Sequence, residues 1–307
     1  MLSVRFWGVR GSIPCPGPDT YVFGGNTSCL EIRAGKSGDP SNRIVIVDCG
    51  TGIRLLGERM LNKNYLQPPI NADVLITHTH WDHIMGLPMF APLFVSGSTL
   101  RIRGPVSSEG DTLESIIGDQ LSHKYWPVKQ SELAADITYD QITETELDLG
   151  DGLKVITKYM NHPLLCLGYR FEYQGKSIVT AYDHEPFRNI FQTDPGKPGY
   201  DELAASEGVE AADDENQKIL NFFQNADILI HDTQYEQNEY DKHIGWGHSS
   251  YESAIAEARK ASVSRLVLFH HDPNRSDRQL EDLETYYKKA APGMEITMAK
   301  EGLVIEA

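Results

Sequence analysis

The segment ADVLITHTHWDH (72–83) carries His78, His80, Asp82 and His83 directly after an apolar, β-branched run. The run predicts a buried strand, and the cluster at its C-terminal end limits what the chain can become. Alternate side chains on extended backbone share a face, so His78 and His80 point to one place. Asp82 and His83, in the turn beyond, reach a second point nearby. Neutral imidazole with carboxylate suits zinc, or manganese or iron where oxygen ligands weigh more. A solvated loop or a core hydrogen bond would explain any one histidine, but this spacing at a strand end points to a metal.

Further strands are predicted at SVRFWG (3–8), SCLEIRA (28–34), RIVIVDC (43–49), TLRIRG (99–104), DITYDQI (136–142), GLKVITKYM (152–160), CLGYRFEY (166–173), KSIVTAYD (176–183), ADILIHD (226–232), RLVLFHH (265–271) and GLVIEA (302–307). Helical spacing appears at GIRLLGERML (52–61), TLESIIGDQL (112–121) and SSYESAIAEARKA (249–261). The last has Tyr251, Ala254, Ile255 and Ala258 on one face, and Ser249 with Glu252 reads as its capping box. The acidic stretch 194–217 reads as a surface excursion leading into a helix. Nothing resembling a repeat or linker divides the chain, so residues 1–307 are expected to form one layered α/β domain.

Net charge is −16, from 28 Lys+Arg against 44 Asp+Glu. That balance repels polyphosphate at long range and leads to the expectation that nucleic acid is an unlikely partner. Cys15, Cys29, Cys49 and Cys166 form no C-x-x-C pair and read as reduced core residues. No signal-peptide pattern and no apolar stretch near 18 residues is seen, so a cytoplasmic location and no membrane contact are expected.

A metal pair needs more ligands than one cluster offers, and other strand ends supply candidates: His162, Asp183, His231, His248, His270 and His271. In order and position, FWGVRGSIP, FGGNTSCLEI, DCGTGIR, THTHWDH, NHPLLCLGYR, AYDHEP, GHSS and LFHHDP resemble the motifs of the metallo-β-lactamase-fold hydrolases. The nearest likeness is to the phosphodiesterase branch that includes tRNase Z and the cyclic-nucleotide phosphodiesterases.

The resemblance implies a four-layer αβ/βα sandwich, two mixed β-sheets flanked by helices. It implies two divalent ions, zinc first and Mn2+ or Fe2+ as alternatives. One would be held by His78, His80 and His162, the other by Asp82, His83 and His270, with Asp183 bridging. Neighbours on a strand point opposite ways, so only one of His270 and His271 can face inward; His270 matches the family position. No organic cofactor is expected.

Two such ions can share a hydroxide and clamp a phosphoryl group. Asp82 and Asp183 would orient that nucleophile, and the leaving alkoxide needs a proton. His248 matches the proton donor of the tRNase Z-like branch. Because helix N-termini disfavour imidazolium, a carboxylate must compensate, and Asp232 is the nearest in sequence. His231 and His184 are expected beside the site as hydrogen-bonding residues, His231 with a substrate role. Asn26 and Thr51 are expected as phosphate or sugar contacts, the alternative being turn chemistry alone.

In bacterial-type tRNase Z a long tRNA-gripping arm lies between the third histidine and the bridging aspartate. Here only residues 163–182 separate His162 from Asp183. The expected substrate is therefore a small phosphodiester, a 3′,5′-cyclic nucleotide first. A tRNase Z-like ribonuclease, a glyoxalase II-like thioesterase and a metal-binding scaffold remain as alternatives, and a homodimer is left open.

Overall fold

The computed structural model describes residues 1–36, 43–62, 65–66 and 68–307. Seven strands form a first sheet: β1 (Leu2–Gly8), β2 (Cys29–Ala34), β3 (Arg43–Val47), β4 (Asn71–Leu75), β5 (Thr99–Pro105), β6 (Asp136–Ile142) and β14 (Val304–Glu306). The second comprises β7 (Glu146–Asp148), β8 (Lys154–Met160), β9 (Cys166–Tyr173), β10 (Lys176–Ala181), β11 (Ile228–Asp232), β12 (Arg265–Phe269) and β13 (Glu295–Met298). The helices are α1 (Ile53–Met60), α2 (Trp81–Ile84), α3 (Leu113–Gly118), α4 (Glu202–Phe223), α5 (Gln237–Tyr240), α6 (Tyr251–Lys260) and α7 (Asp277–Ala290).

The first sheet runs β14-β1-β2-β3-β4-β5-β6, antiparallel from β14 to β3 and parallel from β3 to β6. The second runs β13-β12-β11-β10-β9-β8-β7, parallel from β13 to β10 and antiparallel beyond. Both sheets are therefore mixed, each with a parallel half and an antiparallel half.

Strand β3 shows why the chain layers. Its residues Val45 and Val47 join Val4, Phe6, Leu30 and Ile32 against Val155, Tyr169, Phe171, Ile230 and Phe269 of the other sheet. Ile44 and Ile46 face the opposite way, onto Ile53, Leu56 and Met60 of α1. A strand covered on both faces reads as a continuous apolar run, which is what RIVIV is. On the far side of the second sheet, Val179, Leu229, Leu266 and Leu268 meet Phe222 and Phe223 of α4, Tyr251 and Ile255 of α6, and Leu280 of α7. Helix, sheet, sheet, helix is the four-layer sandwich that was expected.

Three local readings need correction. Most of the acidic stretch 194–217 is helix: α4 starts at an Asp201 cap that accepts from the Ala204 N–H and turns its charged residues outward. Helix α6 is capped by Ser250, not Ser249, whose hydroxyl instead donates to the His184 carbonyl, while Glu252 accepts from the Tyr287 hydroxyl. Strand β4 ends at Leu75, so the histidine cluster lies on the loop and on α2 beyond it. Strands β7 and β13, short and at sheet edges, had no sequence signal long enough to read.

Candidate metal centre

Strands β3 and β4 run parallel, as do β10, β11 and β12; β8, two antiparallel steps from β10, points the same way. Their C-terminal ends gather along one rim. Asp48 follows β3, His78 and His80 follow β4, and His162, Asp183 and His270 follow β8, β10 and β12. Asp232 ends β11, Asp82 and His83 lie on α2, and His248 stands just before α6. Asp48, Asp183 and His270 all have positive φ, of 61°, 43° and 61°. A non-glycine residue is held there only where its surroundings over-determine it, and such strain gathers at functional sites.

The side chains fall into two groups that share one aspartate. His78 Nε2 is 3.4 Å and His162 Nε2 is 3.8 Å from Asp183 Oδ2, and His80 Nδ1 lies 3.1 Å from His162 Nε2. In the second group, His83 Nε2 is 3.2 Å from Asp82 Oδ2 and 3.3 Å from Asp183 Oδ1. His270 Nε2 is 3.2 Å from each of those same two oxygens. Donor atoms arranged around an ion at bonds of about 2.0–2.1 Å stand roughly 3.3 Å apart, so both groups have the span of a coordination shell.

The buried atoms His78 Nε2, His83 Nε2 and Asp183 Oδ1 make no hydrogen bond within the protein. Unpaired buried polar atoms are costly, and a cation at each shared point would satisfy them. The residues therefore fit divalent metal ions.

Outer contacts aim the rings. The Nδ1 of His83 bonds Asp48 Oδ2 at 2.7 Å, that of His162 the Gly247 carbonyl at 3.0 Å, and that of His270 Gln234 Oε1 at 3.2 Å. The Thr77 hydroxyl donates to Asp48 Oδ2 and can accept from His78 Nδ1, 3.2 Å away. With Nδ1 donating outward, each Nε2 presents its lone pair to the site. Asp82 is steadied by the Ser12 N–H, 2.7 Å from Oδ2.

The electrostatics differ between groups. Burial lowers the pKa of His78 and His80, and brings His162 down to about 4, so these rings are neutral, as ligands must be. Burial also opposes charge on His83, yet Asp82, Asp183 and Asp48 together hold its pKa well above the ordinary value. The second group is a negative pocket that favours a cation.

His248 Nδ1 bonds Asp232 Oδ2 at 2.8 Å, and its ring stacks on His270 with centroids 5.0 Å apart. Burial disfavours its charged form, but Asp232 and Asp183 outweigh that and raise it to about 9. Glu185 sets the approach of this loop, accepting from the N–H groups of Gly245 and Gly247 and from the Tyr240 hydroxyl.

Other expected residues lie elsewhere. His231 faces away from the rim: Nε2 meets Glu257 Oε2 at 3.0 Å and Nδ1 donates to the Asp232 carbonyl, so the substrate role expected for it is withdrawn. Adjacent strand residues alternate, and Asp232 already takes the inward position. His184 turns from Asp183 toward Glu257, and His271 Nε2 bonds the Ala299 carbonyl; here the positive φ of Asp183 and His270, past the ends of their strands, sets which neighbour faces inward. Asn26 and Thr51 spend their polar atoms on each other, on Thr27 and on Glu301, which is the turn chemistry alternative and not a substrate contact. Asp48 was missed because RIVIVDC reads as strand through Cys49; an acid closing an apolar run, the rule that found Asp183, would have found it.

A family model described as a β-lactamase superfamily domain matches residues 43–189. The ribonuclease Z of Lactococcus lactis subsp. lactis (strain IL1403) is 28% identical over 299 residues, 88% of each chain. The chain has the metallo-β-lactamase fold and is similar to the ribonucleases Z. Two solved members share its fold over nearly their whole length. The metallo-β-lactamase fold protein YhfI of Bacillus subtilis is 19% identical with TM-score 0.65, covering 100% of this chain and 99% of that one. The short form of human tRNase Z is 20% identical with TM-score 0.60, covering 99% and 98%. Together with the metal-binding clusters, this likeness supports a metal-dependent hydrolase.

The expectation that nucleic acid is an unlikely partner is overturned by these relatives, a ribonuclease being by its name an enzyme of RNA. The net charge misled because surface charges are screened beyond about 8–10 Å at physiological salt, whereas binding at a metal centre is decided locally. Among the described residues no helix is long and apolar enough to cross a membrane.

Proposed function

We propose that the chain hydrolyses phosphodiester bonds in RNA at a two-metal centre, zinc being the first candidate for both ions. His78, His80 and His162 would hold one ion and Asp82, His83 and His270 the other, with Asp183 shared between the two groups. When bound, such a pair lowers the pKa of water and neutralises the phosphoryl oxygens. Asp82 and Asp183 orient the attacking water. His248, kept protonated and aimed by Asp232, gives its proton to the departing oxygen. The observation that carries the reading is Asp183, with an oxygen toward each ligand group, beside the 2.8 Å His248–Asp232 pair. The ribonuclease relatives support RNA as the substrate class.

A second reading, a 3′,5′-cyclic nucleotide, is favoured by one feature: strands β9 and β10 and their turn take up most of the interval between His162 and Asp183. One panel separates the readings: an RNA with a 3′ trailer, cyclic mononucleotides, bis(p-nitrophenyl) phosphate and a thioester, with metal content measured alongside. RNA cleavage at the highest kcat/KM is the expected result. Turnover of cyclic nucleotides alone would select the second reading, and turnover of the thioester alone would overturn both.

A further inference from the structure

Beside His162 a cleft of about 310 Å³ opens outward from the ligand cluster, lined by Asn161, Pro163, Phe187, Arg188, Ile190 and Gly245 among others. Arg188 gives it a cation. Its guanidinium has Glu185 as its ion-pair partner among the described residues, at the long distance of 4.0 Å. That carboxylate is already committed to the N–H groups of Gly245 and Gly247 and to the Tyr240 hydroxyl. Arg188 is 47% exposed and holds its charge at the cleft.

Part of the wall is apolar. Of the lining residues Ile190 is 82% exposed, and the half-buried Phe187 adds an aromatic ring to the same wall. Large apolar side chains facing water beside a polar cleft mark a surface built for contact. A single cation with flat apolar surface next to it is the chemistry that receives one nucleotide: phosphate on guanidinium, base on side-chain faces.

We propose that this cleft binds the nucleotide adjoining the scissile linkage, with Arg188 taking its phosphate and Ile190 and Phe187 its base. The proposal rests on the phosphodiesterase reading and adds to it where the substrate runs and which residue selects a polynucleotide over a lone diester. It also gives a strongly acidic chain a local positive point for an anionic strand.

The test titrates the metal-loaded enzyme with a phosphorothioate tetraribonucleotide over a series of salt concentrations, for the native chain, Arg188→Ala and Arg188→Lys. Hydrolysis of RNA and of bis(p-nitrophenyl) phosphate is followed in parallel. Removing one phosphate contact on a single strand should flatten the slope of log K against log salt by about 0.7. Affinity at low salt should fall about tenfold in Arg188→Ala, with the slope kept in Arg188→Lys. The loss in kcat/KM on RNA should exceed the loss on bis(p-nitrophenyl) phosphate at least tenfold. An unchanged slope in Arg188→Ala, or equal losses on both substrates, overturns the subsite. A flattened slope in an enzyme that cleaves no phosphodiester would keep the subsite and sink the catalytic reading instead.

Discussion

At the scale of single residues, the Nδ1 contact separates three of the proposed ligands from the bystanders. His83, His162 and His270 each spend Nδ1 on an outward acceptor, whereas His231 and His271 spend their rings on Glu257 and the Ala299 carbonyl. His248 spends Nδ1 on Asp232, which leaves Nε2 for the proton that its proposed role requires. His248→Ala should retain both metals, because none of the proposed ligands changes. The loss should fall on kcat, by about 10²–10⁴-fold for one general acid. It should be large for a ribose leaving group and small for p-nitrophenolate, which departs almost unaided. Equal losses on both, read from steady-state kinetics, would place His248 in metal binding or structure. The ligand motifs were legible in sequence because metal chemistry admits few residue types at fixed spacing. Asp48, Ser12, Gln234 and Glu185 were not, since a supporting hydrogen bond can come from any polar residue the fold brings near.

Elements act through parity and through what their loops can tolerate. Where β11 ends, alternation turns Asp232 inward and His231 away, whereas Asp183 and His270, just past the ends of β10 and β12, are turned inward by their positive φ of 43° and 61°. Alternation left His270 and His271 open and the family position decided between them, while for His231 an attractive residue type outweighed its parity. The cap of α6 was misread by one residue for a similar reason: two serines stand together, and tertiary contact with the His184 carbonyl decides which is free to cap. The loop before α6 depends on Gly247, whose φ is 82° and whose added Cβ would lie 2.2 Å from His162 Nδ1. Gly302 has the same φ of 82° and open space around it. Gly302→Ala should therefore cost about 1–2 kcal/mol of stability with metal content intact. Gly247→Ala should add displacement of His162, with loss of one metal and at least tenfold lower activity, read by elemental analysis and the RNA assay. Identical behaviour of the two variants would remove the steric argument.

For the whole molecule, the site doubles as a bond between its halves. His78, His80, Asp82 and His83 come from the first sheet's rim, and His162, Asp183 and His270 from the second's. Strands covered on both faces were legible in sequence because they must be apolar throughout, as RIVIV is, whereas the layer order and the division into two sheets were implied only by the family resemblance. The meeting of the two rims was not legible, since no local pattern encodes which strand ends face each other. Ions coordinated across that seam bind the folded chain and not the unfolded one. Each site then adds stability as the logarithm of free ion over Kd, about 4 kcal/mol at a thousandfold excess. Dialysis against a chelator should lower the melting temperature by on the order of 10 °C, and zinc or manganese should restore it. The sign follows from the site itself: without cations the carboxylates of Asp82 and Asp183 and the unpaired His78 and His83 nitrogens stay buried together. Asp183→Ala removes the donor that both groups share, so its melting temperature should respond far less to chelator than that of the native chain. Calorimetry showing the same midpoint with and without metal in the native chain would mean that the two sheets hold together without ions, and would reduce the cluster to a catalytic feature alone.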